Sequence, residues 1–296
     1  MPGIVVVTYN SADVIDVCID ACRHFSTAIV VVDNASTDGT ADRVRLISDV
    51  TLITNDVNRG FGAAVNQGIA ALQTEAVLIL NPDAVPVHGI AALEHCALRE
   101  GVGAATGRLI GVDGRDQEGF NIRAFPTAST LAFEALGLNR IWPGNPVNRR
   151  YRRPTPPVES EVDQPAGAFL MIRRTAWQEL GGFDEGFFPI WFEDVDYCKR
   201  LKDHGYRILY TPEAVAKHQG GHSARRIPWK ERQLFWYGSL LRYASKHLSI
   251  ASRRAVGLAV ILACIPRMFG GMMQVGISES VSVYSRVVWL AGQCLR

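Results

Sequence analysis

The sequence predicts an α/β protein with a mostly parallel central sheet flanked by helices, followed by a helical C-terminal region. Three observations predict it. Short apolar runs alternate with helical patterns through the first hundred residues, as strands joined by crossover helices do. Two of those runs stop abruptly on carboxylate-bearing turns, at Asp33 and at Asn81-Pro82-Asp83. From about residue 220 the chain changes character: eleven Lys/Arg against two acids leave, from totals of 31 and 29, 20 basic and 27 acidic residues before that point.

Gly3–Thr8 reads as the first strand, and residues 12–22 as a helix N-capped by Ser11. Ile29–Asp33 is the second strand, followed by a helix that Asp38 caps and that runs through Ile47. Val50–Thr54 is the third strand, residues 62–72 an Ala-rich helix, and residues 77–80 the fourth strand. Right-handed crossovers place the strand ends Thr8, Asp33, Asn55 and Asn81 on one edge, where ligands bind in open α/β sheets.

After Gly101 the pattern loosens, with a strand at 102–106 and a turn at Asp113-Gly114. Residues 137–160 hold five prolines and the run Asn148-Arg149-Arg150-Tyr151-Arg152-Arg153, which predicts a mobile loop. A strand follows at 166–172, then a helix at 175–180 stopped by Gly181-Gly182, and another from Glu193 to near Gly205. Two short strands, 207–210 and 214–216, lead to His218, and helix dominates from Trp229 onward.

With 296 residues and 48% hydrophobic content, the chain has ample material for a core, which excludes disorder as the default. Its six cysteines form no CxxC pair; Cys18 and Cys22 lie one helical turn apart and read as packing, with a zinc pair as the rarer alternative. The first strand begins at once, without a basic leader, so reduced cytosol is the expected compartment. The longest apolar helix of the tail, residues 255–265, is closed by Pro266 and Arg267. That is short of the ~18–20 residues a spanning helix needs, so no transmembrane anchor is expected.

Four stations carry candidate chemistry. Asp33, in VVDNASTDGT, can accept hydrogen bonds from a base or a ribose, or can serve simple turn chemistry. Arg59, in NRGFGAAVN, precedes a helix start with glycines that allow close backbone approach; the spacing is not the dinucleotide fingerprint. Asp83 is fixed at the sheet edge by Pro82 and offers a hard oxygen ligand suited to Mg2+ or Mn2+. In GGFDEGFFPIWFEDVDYCKRL, aromatic residues lead into Glu193, Asp194 and Asp196 at a helix start. Acids there suit the helix dipole, and an apolar wall raises a carboxylate's basicity for general-base work. His218 becomes a second metal ligand if it lies beside a carboxylate site; His222 is the weaker histidine.

Taken in order, the blocks VVVTYNS, VVDNASTDGT, NRGFGAAVNQG, LNPDA, GAFLMIRR and GGFDEGFFPIWFEDVDYCKRL resemble the family 2 inverting glycosyltransferases of the GT-A fold, nearest to the bacterial rhamnosyltransferase-like branch. The resemblance covers roughly residues 3–223 and implies a catalytic domain at 1–223 and a helical region at 224–296. It implies that Thr8, Asp33, Arg59 and Asn81 bind the nucleotide-sugar, and that Asp83 and His218 hold Mg2+ or Mn2+ on its diphosphate. It further implies Asp194 as general base with Glu193 beside it, and Gly167 and Ala168 on the acceptor side. Many members carry Asp-x-Asp at the metal station; Asn81 replaces the first acid here, and Asn brings no charge. The implied reaction is a single displacement with inversion, moving a sugar to a hydroxyl of a cell-envelope glycan or polyprenyl-linked acceptor. dTDP-rhamnose is the first expectation for the donor and UDP-sugars the next.

Residues 225–254 interleave basic and aromatic side chains, and amphipathic helices of that kind lie in a bilayer interface. An anionic membrane at the cytoplasmic face of the inner membrane is therefore the expected partner of the tail, against an ordinary helical subdomain or dimer interface. Nothing resembles a nucleic-acid motif. Two rivals remain. A nucleotidyltransferase would need a basic Gly-rich loop after the first strand, where Tyr9-Asn10-Ser11-Ala12 stands. A non-catalytic sugar-nucleotide binder would not need Asp83, Glu193, Asp194 and His218 together.

Overall fold

A computed structural model describes residues 1–221 and 226–296. His222 and the expected boundary at 223/224 lie outside the described residues. The chain divides into two compact units: Met1–Ala124 with Arg153–Pro189 and Glu193–Arg225, and Phe125–Arg152 with Ile190–Phe192 and Arg226–Arg296.

The first unit is built on β1 (Gly3–Thr8), β2 (Ile29–Asp33), β3 (Val50–Thr54), β4 (Ala76–Leu80), β5 (Ala84–His88), β6 (Val102–Ile110), β7 (Ile122–Arg123), β8 (Ser160–Glu161), β9 (Gln164–Pro165), β10 (Phe169–Arg173) and β11 (Arg207–His218). Its helices are α1 (Ile15–Arg23), α2 (Thr40–Arg45), α3 (Phe61–Ala70), α4 (Ile90–Ala97), α8 (Arg174–Glu179) and α9 (Glu193–Asp203). The sheet runs β3-β2-β1-β4-β10-β6-β11-β5, with β8 paired to β11. β1, β2 and β4 are apolar along almost their whole length because helices cover both faces of the sheet. β1 to β4 are parallel, β10 is antiparallel to both β4 and β6, and β11 runs parallel to β6. The carboxyl ends of β1, β2, β4, β6 and β11 and the amino end of β10 therefore share one edge.

Several expectations change in detail. Ser11 caps no helix: α1 starts at Ile15 without a side-chain cap, while the Ser11 carbonyl accepts from the Val14 and Ile15 N–H groups. Its own N–H donates to Thr40 Oγ1. Asp38 does receive N–H groups, from Thr40 and from Ala12, both at 3.1 Å, so it ties the loop after β1 to the loop after β2. The two short strands expected at 207–216 are one strand, β11, whose register slips between Tyr210 and Val215.

The second unit comprises α5 (Ala128–Leu136), α6 (Leu138–Ile141), α7 (Pro146–Tyr151) and three long helices, α10 (Trp229–His247), α11 (Ile250–Val275) and α12 (Ile277–Gln293). The expected loop at 137–160 is thus largely ordered. Asn145 caps α7 through the Asn148 N–H at 2.8 Å, and Pro146 sits in its first turn, where a missing N–H costs nothing. The prolines read as breakers are, in this instance, a start signal.

The apolar helix is also longer than expected. α11 is continuous through Pro266, which costs one backbone hydrogen bond rather than ending the helix. Arg267 does not end it either: Nε and Nη2 both donate to the Ala135 carbonyl, at 3.2 and 2.9 Å. The 26-residue helix is long and apolar enough to cross a membrane by length and composition. Val256, Val260, Ala263 and Cys264 nevertheless face the inside of the unit. A Cβ on Gly271 would lie 2.4 Å from Ser280 Oγ, so glycine is what lets α11 and α12 approach there.

Candidate active site

The edge begins with two interlocked loops. Asn10 Oδ1 accepts from Thr37 N–H at 2.8 Å, and Ser36 Oγ accepts from Asn10 N–H at 2.8 Å. Asp33 Oδ2 accepts from Ser36 N–H at 3.0 Å. Asn34, which sequence reading passed over, ties in the third loop: its Oδ1 accepts from Arg59 N–H at 2.9 Å and its Nδ2 donates to Asn58 Oδ1 at 2.9 Å. Arg59 is held through this backbone bond, and its side chain is exposed.

Thr8 and Asp33 are register partners at the ends of β1 and β2. Both are buried, and Thr8 Oγ1 and Asp33 Oδ1 have no hydrogen-bond partner among the described residues. Buried polar atoms are almost always satisfied, so two neighbouring exceptions mark a place where a polar ligand would complete the structure.

The turn after β4 brings Asp83 to His218. The Ala84 N–H bonds back to the Asn81 carbonyl at 3.0 Å, and β5 then pairs antiparallel with β11 so that Ala84 lies opposite His218. Asp83 Oδ2 accepts from Gly220 N–H at 3.1 Å, and Oδ1 lies 3.4 Å from His218 Nε2. That separation is long for an aligned hydrogen bond, and Nε2 has no hydrogen-bond partner among the described residues although His218 is almost wholly buried. The ring stacks on Phe120, with centroids 5.2 Å apart.

The acidic station is positioned by two anchors. Asn66 on α3 accepts from the Phe183 N–H at 2.8 Å and from Trp177 Nε1 at 3.0 Å, and donates to the Phe183 carbonyl at 2.9 Å. Arg200 pairs with the fully buried Asp196 at 2.8 Å and donates to the Leu180 and Gly182 carbonyls at 3.0 and 2.7 Å. Asp196 is therefore a structural acid. Trp191 and Phe192 carry φ of 79° and 70° immediately before Glu193, a costly backbone state for large side chains that clusters at functional sites.

Asp194 Oδ2 accepts from the Gly167 N–H at 2.9 Å and Oδ1 from the Val195 N–H at 2.8 Å. A Cβ on Gly167 would stand 3.2 Å from Asp194 Cβ, a tight contact that would press on Asp194. Next along the chain, the Ala168 carbonyl accepts from Asn81 N–H at 3.2 Å, which links the acidic station to the turn that carries Asp83. Burial pushes the Asp194 carboxyl above the ordinary carboxylate range, opposed by the Gly167 N–H and by Arg123. Burial pushes Glu193 well above that range, with the Asp194 charge adding to it. Glu193 Oε2 is also without a partner among the described residues.

The fold thus gathers Thr8, Asp33, Asn81, Asp83, Gly167, Ala168, Glu193, Asp194 and His218 along one sheet edge, with Arg59 joined through its main chain. Arg123 and Phe120 were missed, because nothing in their neighbourhood has the spacing of a known site. Among the described residues no group of three His, Cys, Asp or Glu side chains could hold a metal. Asp83 and His218 Nε2, which has no partner among the described residues, form a two-donor set that fits an ion taking the rest of its shell from diphosphate and water.

Residues 3–120 match the family model described as glycosyl transferase family 2. The N-acetylglucosaminyl-diphospho-decaprenol L-rhamnosyltransferase of Mycobacterium tuberculosis is 35% identical over 218 residues, 68% of this chain and 69% of that one. Rhamnosyltransferase WbbL of Escherichia coli is 26% identical, over 66% of this chain and 73% of its own. The chain belongs to glycosyl transferase family 2 and is a glycosyltransferase. A solved mannosyltransferase from Pyrobaculum calidifontis, in complex with GDP-Man and Mn2+, superposes with a TM-score of 0.53 at 17% identity, covering 99% of this chain and 84% of that one. The fold is GT-A.

Proposed function

We propose that this enzyme transfers L-rhamnose, with inversion, from dTDP-rhamnose to a hydroxyl of a polyprenyl-diphosphate-linked acceptor. The sugar and acceptor follow the names of the relatives from M. tuberculosis and E. coli. The observation that carries the chemistry is Asp194: a carboxylate oriented by two backbone N–H groups and made more basic by burial, at the edge where four buried polar atoms lack partners among the described residues.

In this reading Thr8, Asp33 and Arg59 hold the nucleotide, with Asn81 lining the same pocket. Gly167 and Ala168 border the acceptor. Asp194 takes the proton of the attacking hydroxyl as its oxygen bonds to the anomeric carbon and the bond to the diphosphate breaks. Glu193, whose carboxyl burial pushes well above the ordinary range, lies beside Asp194 and positions sugar or acceptor. Asp83 and His218 would hold Mg2+ or Mn2+, which when bound offsets the charge growing on the departing diphosphate.

The enzyme would work at the cytoplasmic face of a membrane, held there by its helical unit. Leu258, Leu262, Ile265, Phe269 and Met273 are all exposed along one side of α11, spaced as one helical face. Arg254 at the start of α11, together with Arg242, Lys246 and Arg286, is exposed and suits anionic headgroups. The aromatic anchors expected at 229–243 are mostly inside: Tyr237 and Tyr243 are buried, and Trp229, Phe235 and Trp236 half-buried. Aliphatic side chains of α11, with Trp289 of α12, would replace them at the interface.

The test is transfer to a synthetic polyprenyl-diphosphate-linked GlcNAc from a panel of dTDP-, UDP- and GDP-sugars. Rhamnosylated lipid from dTDP-rhamnose alone is the expected product. Transfer only from a UDP- or GDP-sugar would contradict the sugar, and no donor binding at all would contradict the reading entirely.

A further inference from the structure

Gln117 touches His218 at two points. Its Nε2 donates to the His218 carbonyl at 2.7 Å, and its Oε1 lies 2.8 Å from His218 Nδ1. The first bond fixes which end of the amide faces which atom, since a flipped amide would set oxygen against carbonyl oxygen. Oε1 therefore faces the ring, and an amide oxygen can only accept. Nδ1 must then carry a proton.

We infer that Gln117 is a positioning residue that holds His218 in the tautomer with Nδ1 protonated and Nε2 bare, so that Nε2 and Asp83 Oδ1 face each other as two acceptors across a gap made for a divalent cation. The inference rests on the metal reading given above. Three features support the geometry. The His218 Nε2 is buried and has no hydrogen-bond partner among the described residues, and Asp83 Oδ1 is 3.4 Å away. Phe120, stacked on the ring, limits its rotation. Gln117 is itself seated: its N–H donates to the Leu109 carbonyl at 3.0 Å, and its carbonyl accepts from the Phe120 and Asn121 N–H groups at 3.1 and 3.0 Å. A histidine that ligates a metal ordinarily gives its other ring N–H to such an orienting acceptor, and losing the acceptor weakens metal binding.

The opposite neutral tautomer would point the Nδ1 lone pair at Gln117 Oε1. Asp83 Oδ1, 3.4 Å from Nε2, is an acceptor that on its own favours this opposite tautomer, so the choice rests on the shorter, 2.8 Å contact from Nδ1 to Gln117.

The experiment is nitrogen-15 NMR of the His218 ring in full-length protein labelled at histidine, above the pH at which the ring protonates, with His218→Gln for assignment. Wild type should show Nδ1 protonated and Nε2 bare. Gln117→Leu should move the ring toward the Nε2-protonated form. In parallel, Mn2+ binding in the presence of dTDP, followed by electron paramagnetic resonance, should weaken ~10–100-fold in Gln117→Leu. A protonated Nε2 in the neutral wild-type ring would overturn the inference, as would a Gln117→Leu protein with unchanged ring signals. A bare Nε2 with no Mn2+ binding in wild type would instead overturn the metal reading.

Discussion

At the carboxyl edge of the sheet the unmet needs are polar: Thr8 Oγ1, Asp33 Oδ1, Glu193 Oε2 and His218 Nε2 are buried and lack partners among the described residues. In the helical unit they are mostly apolar: apart from the buried Tyr237 hydroxyl, Leu258, Leu262, Ile265, Phe269 and Met273 lie in the open on one side of α11. An unsatisfied buried polar atom and an uncovered apolar stripe both cost free energy in water. They are relieved by different things, one by a polar ligand and the other by a nonpolar environment. The comparison separates the chemistry of the protein from its location, and each half can be broken without the other.

The largest expected effect is on location. Leu258→Ser, Leu262→Ser and Phe269→Ser combined remove three apolar side chains, each contributing roughly 1.5–3 kcal/mol when buried in lipid. Partition onto vesicles rich in anionic lipid should fall by more than ~100-fold, while donor hydrolysis in solution stays within about twofold of wild type. Unchanged co-sedimentation with vesicles would assign the stripe to something other than lipid.

A smaller effect sharpens the chemical half. Gly167→Ala sets a methyl 3.2 Å from Asp194 Cβ, closer than nearly all real contacts of that kind. Turnover should fall about tenfold, with the melting temperature little changed. Equal turnover would show that Asp194 need not sit where the Gly167 N–H holds it.

The smallest effect is on stability and has a definite sign. Burial raises Glu193 well above the ordinary carboxylate range in the folded state. The unfolded chain therefore loses that proton first as pH rises, the folded state binds more protons between the two values, and stability declines across that window. Glu193→Gln removes this decline. Its melting temperature should exceed wild type by a few degrees near pH 8, about 2–4 °C per kcal/mol recovered, and match it near pH 4, even as activity drops. A variant that melts lower at pH 8 would mean that Glu193 is stabilised by partners in the folded state.

Much of this was legible in the sequence because strands and their ends follow from local composition. The runs 29–33 and 50–54 are strands β2 and β3 to the residue, and the carboxylates that stop the apolar runs do reach one edge. What failed was punctuation. Pro146 starts a helix, and Pro266 sits inside one, because capping by Asn145 and packing of α11 outweigh the intrinsic cost of proline. Strand β5 and helix α4 escaped notice: Ala84–His88 is five residues long and contains Pro86. The roles of Gln117 and Asn34 were invisible for a different reason. Each acts through contacts to residues far along the chain, 101 positions away for Gln117 and His218, and no local pattern encodes such a pairing.

The central claim is that Asp194 takes the acceptor's proton. The most direct test measures binding and turnover of one donor by wild type and Asp194→Asn, with calorimetry for binding and nucleoside diphosphate release for turnover. Asn is nearly the same shape and can still accept the Gly167 N–H, but it cannot take a proton. The account predicts donor affinity within about threefold of wild type and turnover lower by roughly 10²–10⁴-fold. It also predicts that the wild-type rate rises with pH through a value above the usual carboxylate range, in keeping with the direction of the Asp194 shift. Turnover by Asp194→Asn near the wild-type rate would contradict the account.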